Sequence, residues 1–265
     1  STMVVPIGDY GLINIYTSQS TNVIIDVFGY FGGNNATTAK YSPVTPKRVY
    51  DTRPSSGFAA NETRNISVTA AGVPAGATAA VVNLTAVGAT SNGWLTLSGS
   101  STSIINYSSS GQSIANLAFA PVVGGNITVT ASSATHVIVD VVGFVGSTGT
   151  LNYYPITPAR LIGPMPMGAG GYVDLTITGV AGIPSTAGAV MANVTGSGAT
   201  LSTWINAYPK GATIPAPIPS TVNVQPGAAN ANHSIVQPGT SNQARVTNAN
   251  GLVNMYFDVE GYFAT

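Results

Sequence analysis

The chain has 265 residues, of which 44% are hydrophobic and only 6% charged, with a formal net charge of zero. Disorder goes with low hydrophobicity and high charge, so this composition excludes a disordered chain. A near-neutral surface, with pI about 6.7, offers nothing to track a phosphate backbone and argues against nucleic acid as a partner. So few like charges also tolerate close self-contact.

In chain order, the first segment holds short apolar runs at Met3-Val4-Val5, Leu12 to Tyr16 and Asn22 to Asp26. Thr63 to Thr69 then alternates polar with apolar, as do Asn126 to Thr130 and Tyr172 to Thr178. Period-two alternation in Val, Ile and Thr, bounded by Gly, Pro, Ser and Asn, reads as half-buried strand. The 31 glycines and 17 prolines punctuate turns, and no run of ten residues keeps helical periodicity. The chain is therefore expected to be all-β. No apolar run approaches the 18 or so residues of a membrane span; Val137 to Val145 is short and broken by Asp140. Cysteine is absent, so no disulfide holds the fold and the compartment is left open.

One motif returns at domain-sized intervals. Asp26-Val-Phe-Gly-Tyr-Phe31 recurs as Asp140-Val-Val-Gly-Phe-Val145 and as Asp258-Val-Glu-Gly-Tyr-Phe263. Other landmarks keep step. Pro43-Val-Thr-Pro-Lys-Arg48 answers Pro155-Ile-Thr-Pro-Ala-Arg160, Asn83-Leu-Thr answers Asn193-Val-Thr, and Trp94 answers Trp204. Each full repeat has room for seven to nine short strands, which predicts β-sandwiches of the Greek-key or jelly-roll kind. The expected division is 1–33, the closing strands of an incomplete module; 34–149, a complete module; and 150–265, a complete and more divergent one. Short polar linkers at Gly32 to Lys40 and Gly146 to Asn152 suggest modules arranged like beads in a row. The chain starts at Ser1, which implies a removed leader or an excerpt of something longer. Half a sandwich exposes a core face and open edges, so residues 1–33 are expected to need a cover.

The series Pro-x-Thr-Pro-x-Arg, Asp51-Thr52-Arg53, Asn-Leu-Thr and a closing Asp-Val-x-Gly-Tyr-Phe resembles tandem β-modules of exported bacterial proteins. These are common in actinobacteria beside cell-wall amidase or other hydrolase domains. Residues 41–146 carry the pattern; in residues 153–263 the Asp-Thr-Arg element is replaced by Gly163-Pro164-Met165. The family has no settled activity, so the resemblance implies an extracellular accessory or structural module.

Candidate sites are few. A carboxylate inside an apolar strand needs a partner, so Asp26, Asp140 and Asp258 are expected to pair with Arg48, Arg53 or Arg160 and close each module. A calcium role would need several more oxygen ligands. His136 and His233 occupy non-equivalent positions, and without thiols they do not make a zinc site. No Gly-x-Ser-x-Gly elbow or paired-carboxylate motif is evident, so no catalytic residue and no cofactor is expected. Trp94 and Trp204 either fill the sandwich cores, which their matched positions favour, or stack on sugar rings. Tyrosines near the junctions (Tyr30, Tyr41, Tyr50, Tyr153, Tyr154, Tyr262) are expected to pack module on module. The Asn-x-Ser/Thr triplets at Asn35, Asn61, Asn65, Asn83, Asn106, Asn126, Asn193 and Asn232 are little more than this composition generates by chance, so glycans are weakly indicated. Ile214 to Pro219 reads as an extended Pro-rich loop.

Two functions follow as expectations. One is a non-catalytic extracellular subunit of a surface layer, sheath or filament, assembled with other copies by strand complementation through residues 1–33. The alternative is a carbohydrate- or cell-wall-binding module of a larger exported protein, with a cell-wall polysaccharide as partner.

Overall fold

The computed structural model describes residues 2–32, 39–98, 100, 102–108, 111–214 and 216–265. Ser1, Gly33, the Asn35 triplet, most of the first linker and Pro215 lie outside them. Residues 40–146 hold β1 (Lys40–Asp51), β2 (Glu62–Ser67), β3 (Ala79–Val87), β4 (Gly93–Leu97), β5 (Ile105–Tyr107), β6 (Ser113–Pro121), β7 (Asn126–Ala131) and β8 (His136–Gly146). They form two four-stranded antiparallel sheets in the orders β1-β8-β3-β6 and β2-β7-β4-β5.

Residues 152–264 repeat this with β9 (Asn152–Met167), β10 (Tyr172–Thr176), β11 (Ala189–Ser197), β12 (Thr203–Pro209), β13 (Val222–Val224), β14 (Ala229–Val236), β15 (Gln243–Asn248) and β16 (Val253–Ala264). Their sheet orders are β9-β16-β11-β14 and β10-β15-β12-β13, the same arrangement position by position. An order of 1-8-3-6 facing 2-7-4-5 is the eight-stranded jelly roll. The protein is a tandem of two such β-sandwiches.

Each sandwich is filled by alternate residues of both sheets. Leu84, Leu95, Ile127 and Val139 meet in the first core, and Val194, Ile205, Val246 and Phe257 in the second. Each such burial stabilises by about 1.5–3 kcal/mol.

The modules do not sit as beads in a row. Tyr41, Val81, Leu117 and Val142 of the first join Ala189, Met191, Ile235 and Phe263 of the second in a third buried cluster. Val81 and Met191 point away from their own cores, where Val82 and Val190 pack. The outer faces of two sheets are thus buried against each other. Tyr41 and Phe263 rings lie 4.5 Å apart across this junction. Of the other tyrosines, Tyr153 packs on Phe263, Tyr50 packs on Phe58 inside the first module, and Tyr154 and Tyr262 stack on each other. Tyr30 is exposed.

The repeated glycine has a steric cause. Tyr41 donates its hydroxyl to the Val142 carbonyl (3.0 Å), and its ring lies over Gly143, where a Cβ would collide with it. Tyr153 does the same with the Glu260 carbonyl (3.3 Å) and Gly261.

The first segment departs from expectation. Residues 2–32 contain no strand; one 3-10 turn at Asp9–Gly11 is their regular structure. The two complete modules show what their closing strands depend on. In a jelly roll, strands 6 and 8 are separated by strand 3, and strand 7 lies in the other sheet, so the last three strands have no partners among themselves. The segment touches the modules at few points: Thr2 N–H donates to Asn116 Oδ1 (2.9 Å), and Phe31 packs on Phe119, Tyr153 and Phe263.

Gly143→Val is expected to cost about 1–3 kcal/mol by overpacking. Combining it with Tyr41→Ala should recover part of that loss in urea denaturation. Full additivity of the two changes would sever the link between ring and glycine.

Candidate functional site

Two sets of residues merit attention: the ion pairs that close the modules, and the outer faces that carry the tryptophans. Arg48 and Asp140 are directly opposite each other on β1 and β8, as Arg160 and Asp258 are on β9 and β16. Arg48 reaches Asp140 with two parallel bonds, Nε to Oδ1 at 2.7 Å and Nη2 to Oδ2 at 3.0 Å. Arg160 binds Asp258 in the same fork, at 2.7 and 3.1 Å. This two-point geometry fits arginine and carboxylate.

The surroundings of the two pairs differ. Asp140 is fully buried and Arg48 8% exposed, whereas Arg160 is 54% exposed. The cover is the loop from Lys210 to Thr221, between β12 and β13, which is five residues longer than its counterpart between β4 and β5. It crosses from the second module to the first. Ser220 gives Asp140 a backbone hydrogen bond, and the Ile218 carbonyl accepts from Arg48 Nη2 (3.3 Å). Asn83 donates to the Ser220 carbonyl, Asn232 donates to Asn83 Oδ1 (2.7 Å), and Asn232 Oδ1 accepts from the Leu117 amide (3.0 Å). The Pro-rich loop is a strap between modules. Burial pushes the Asp140 carboxyl above its ordinary range, against the hydrogen bonds and charge of Arg48. Burial also pushes the Tyr153 hydroxyl up to about 12, with the charge of Glu260 adding to it.

The remaining members of the expected set fall elsewhere. Arg53 pairs with Asp51 (2.5 Å), its neighbour two residues back, and does not reach Asp140. Asp26 is exposed, and no ion pair forms on it among the described residues. His136 Nδ1 lies 3.1 Å from the Thr52 carbonyl, and His233 Nε2 lies 3.0 Å from Glu260. Asp51, Glu62, Asp140, Asp174, Asp258 and Glu260 each face a basic side chain. Among the described residues no three of His, Cys, Asp and Glu gather as a metal site would need. Asn83 and Asn232, both Asn-x-Ser/Thr candidates, are buried and hydrogen-bonded, which closes them to glycans in the folded chain.

Neither tryptophan fills a core. On β4, Leu95 and Leu97 face the first core, so Trp94 faces out, 50% exposed. Around it on the same face stand Thr63, Asn65, Asn106, Thr128 and Thr130, in register across the sheet. Thr63 and Thr130 hydroxyls are 2.8 Å apart, and Thr128 donates to Asn65 Oδ1 at 2.8 Å. Trp204 holds the matching place on β12, outside Ile205 and Ala207, and is partly buried. With Tyr208, Ile214, Ile218 and Thr247 it lines a recess of about 210 Å³ whose far wall is the strap. Beside it Arg245 lies 4.0 Å over the Tyr172 ring and binds Asp174 in a fork at 2.8 and 3.0 Å. That hydrogen bonding, with Lys210 adding to it, holds the Asp174 carboxyl below its ordinary range. A flat apolar ring set among hydroxyls and amides can stack on one face of a polyhydroxylated ligand while its neighbours hydrogen-bond the edge.

No family model matches the chain, and no curated protein does. One similar solved structure is the N-terminal CBM22-1-CBM22-2 tandem domain of Xyn10C from Paenibacillus barcinonensis. It is 10% identical, with 85% of this chain and 94% of that one covered, at a TM-score of 0.23. At that score no residue correspondence follows. Among the described residues no helix is long and apolar enough to cross a membrane.

Asp140→Asn is expected to cost about 3 kcal/mol, because it leaves Arg48 buried with only the longer contact to Asp51 (3.5 Å) as counter-charge. Asp258→Asn should shift the melting temperature far less, since water already screens that pair. Equal shifts would contradict the role given to the strap. The folded pKa of Asp174 lies below the unfolded one, so its stabilisation is present above the unfolded value and is lost as pH falls through the folded value. Asp174→Asn should flatten the acid limb of the melting-temperature profile; an unchanged limb would count against it.

Proposed function

We propose that the protein is a non-catalytic, exported carbohydrate-binding tandem, using the outer faces of the β2-β7-β4-β5 and β10-β15-β12-β13 sheets. The observation that carries this is Trp94. It stands half exposed on a sheet face of threonine, asparagine and serine, while the other large apolar side chains of its module are mostly packed. An indole stands at the same register in both modules, half exposed at Trp94 and partly buried against the strap at Trp204. A cell-wall or surface polysaccharide is the partner class that suits two such faces on one chain, and an extracellular or cell-surface location goes with it.

The structural reading, a subunit of a layer, sheath or filament, is favoured by the exposed apolar side chains of residues 2–32. Completion by a second copy meets an obstacle, however. Both jelly rolls of this chain already hold their own strands 6 to 8, so a copy offers no vacancy without giving up strands of its own.

Pull-down on insoluble bacterial cell-wall polysaccharide, with a glycan array beside it, tests the binding reading. Trp94→Ala should weaken binding about 10-fold or more, since loss of a well-packed aromatic anchor costs roughly 2 kcal/mol, and Trp204→Ala should add to the loss. Binding that survives the double change, or no binding to any glycan, would overturn the proposal.

A further inference from the structure

We infer that residues 2–32 are the end of strand 6 and strands 7 and 8 of a third jelly roll, which closes only when the preceding strands of a like module bring an arginine onto Asp26 and a tyrosine ring onto Gly29. This stands independently of the carbohydrate reading.

The internal alignment gives the assignment. Met3 to Pro6 matches Ala118 to Pro121 at the end of β6, Leu12 to Tyr16 matches Ile127 to Ala131 of β7, and Asn22 to Phe31 matches His136 to Val145 of β8. Exposure then shows what is missing. Ile24, Val27 and Tyr30 are 88%, 87% and 86% exposed, while their counterparts Ile138, Val141 and Phe144 are 3%, 0% and 8% exposed. In both complete modules strand 8 lies between strands 1 and 3, which supply every one of its ladder hydrogen bonds. Strand 7 lies likewise between strands 2 and 4. The segment holds no strand that can take these places, and unpaired backbone is costly once its apolar side chains are buried.

Two side-chain positions specify the missing half. Asp140 and Asp258 each face an arginine of strand 1, and Gly143 and Gly261 each lie under a tyrosine that opens strand 1. The aspartate and the glycine are both present in the segment, at Asp26 and Gly29, while the arginine and the tyrosine are not. The complement is thus a front half of this module type, carrying Tyr at the Tyr41 place and Arg at the Arg48 place.

Residues 39–117 placed directly ahead of Met3 supply strands 1 to 5 at the natural spacing. The same piece added as a separate polypeptide to the unaltered chain supplies them in trans. Amide hydrogen exchange is the readout. Slowing on the order of 100-fold over residues 12–16 and 22–31, in either arrangement, is the expected result; slowing in trans shows that a separate polypeptide can be the source. Gly29→Trp in the joined chain should abolish the slowing, because the indole takes the place of the incoming ring, while Ser18→Trp in the intervening turn should keep it. Fast exchange in both arrangements, or slowing indifferent to Gly29→Trp, overturns the inference. So does concentration-dependent slowing in the unaltered chain alone, which would make a second copy the complement.

Discussion

In a jelly roll the chain's last strand is inserted between its first and its third, and the rest of this structure follows from that constraint. Strand 8 cannot pair until strands 1 and 3 are in place, so the end of each module is held by its beginning. The fork between arginine and aspartate sits at that seam, on directly opposed residues, and the tyrosine over the glycine locks it a turn of the pleat further on. A sequence that must mark the same seam each time will repeat the same residues there, which accounts for the motif Asp-Val-x-Gly.

The two modules show how context changes the energetics of one interaction. The forks at Arg48–Asp140 and Arg160–Asp258 are nearly superimposable in distance. One lies beneath a loop from the neighbouring module and the other lies in water. A buried pair draws little net stability from its Coulomb attraction, since desolvation offsets most of it, but it penalises any arrangement that leaves one partner alone. At Asp140 the pair therefore acts on the register of the two modules as much as on the closure of one. The backbone donor of Ser220 and the carbonyl of Ile218 make the second module part of the first module's seam.

Much of this was legible in the residues, and the parts that were not have definite reasons. Period-two alternation exposed the strands, and the terminal motif exposed the repeat and the Asp–Arg seam. The tyrosine partner of the glycine was readable too, since Tyr41 and Tyr153 both stand two residues before the first proline of their repeat. The outward direction of Trp94 was legible from parity alone: Leu95 and Leu97 claim the core, so the residue between Gly93 and Leu95 cannot. The packed junction also left a trace. Val137 to Val142 is apolar nearly without break, the mark of a strand covered on both faces, whereas Val253 to Ala264 alternates strictly. Two features were beyond composition and spacing. The reach of the Pro-rich strap depends on a loop path. The lack of strands in residues 2–32, which carry the modules' closing motif, goes with a strand order in which strands 6, 7 and 8 form no ladder with one another.

The packed junction has one further consequence. Because Met191, Ile235 and Phe263 are locked against Val81, Leu117 and Tyr41, the sheets bearing Trp94 and Trp204 cannot swivel as they would on a flexible tether. Two weak contacts on such a frame gain avidity only from a polymer whose own repeat matches their separation, and lose it for one that does not. Under the proposed carbohydrate-binding function, the junction between the modules would thereby be a ruler for length along an extended glycan.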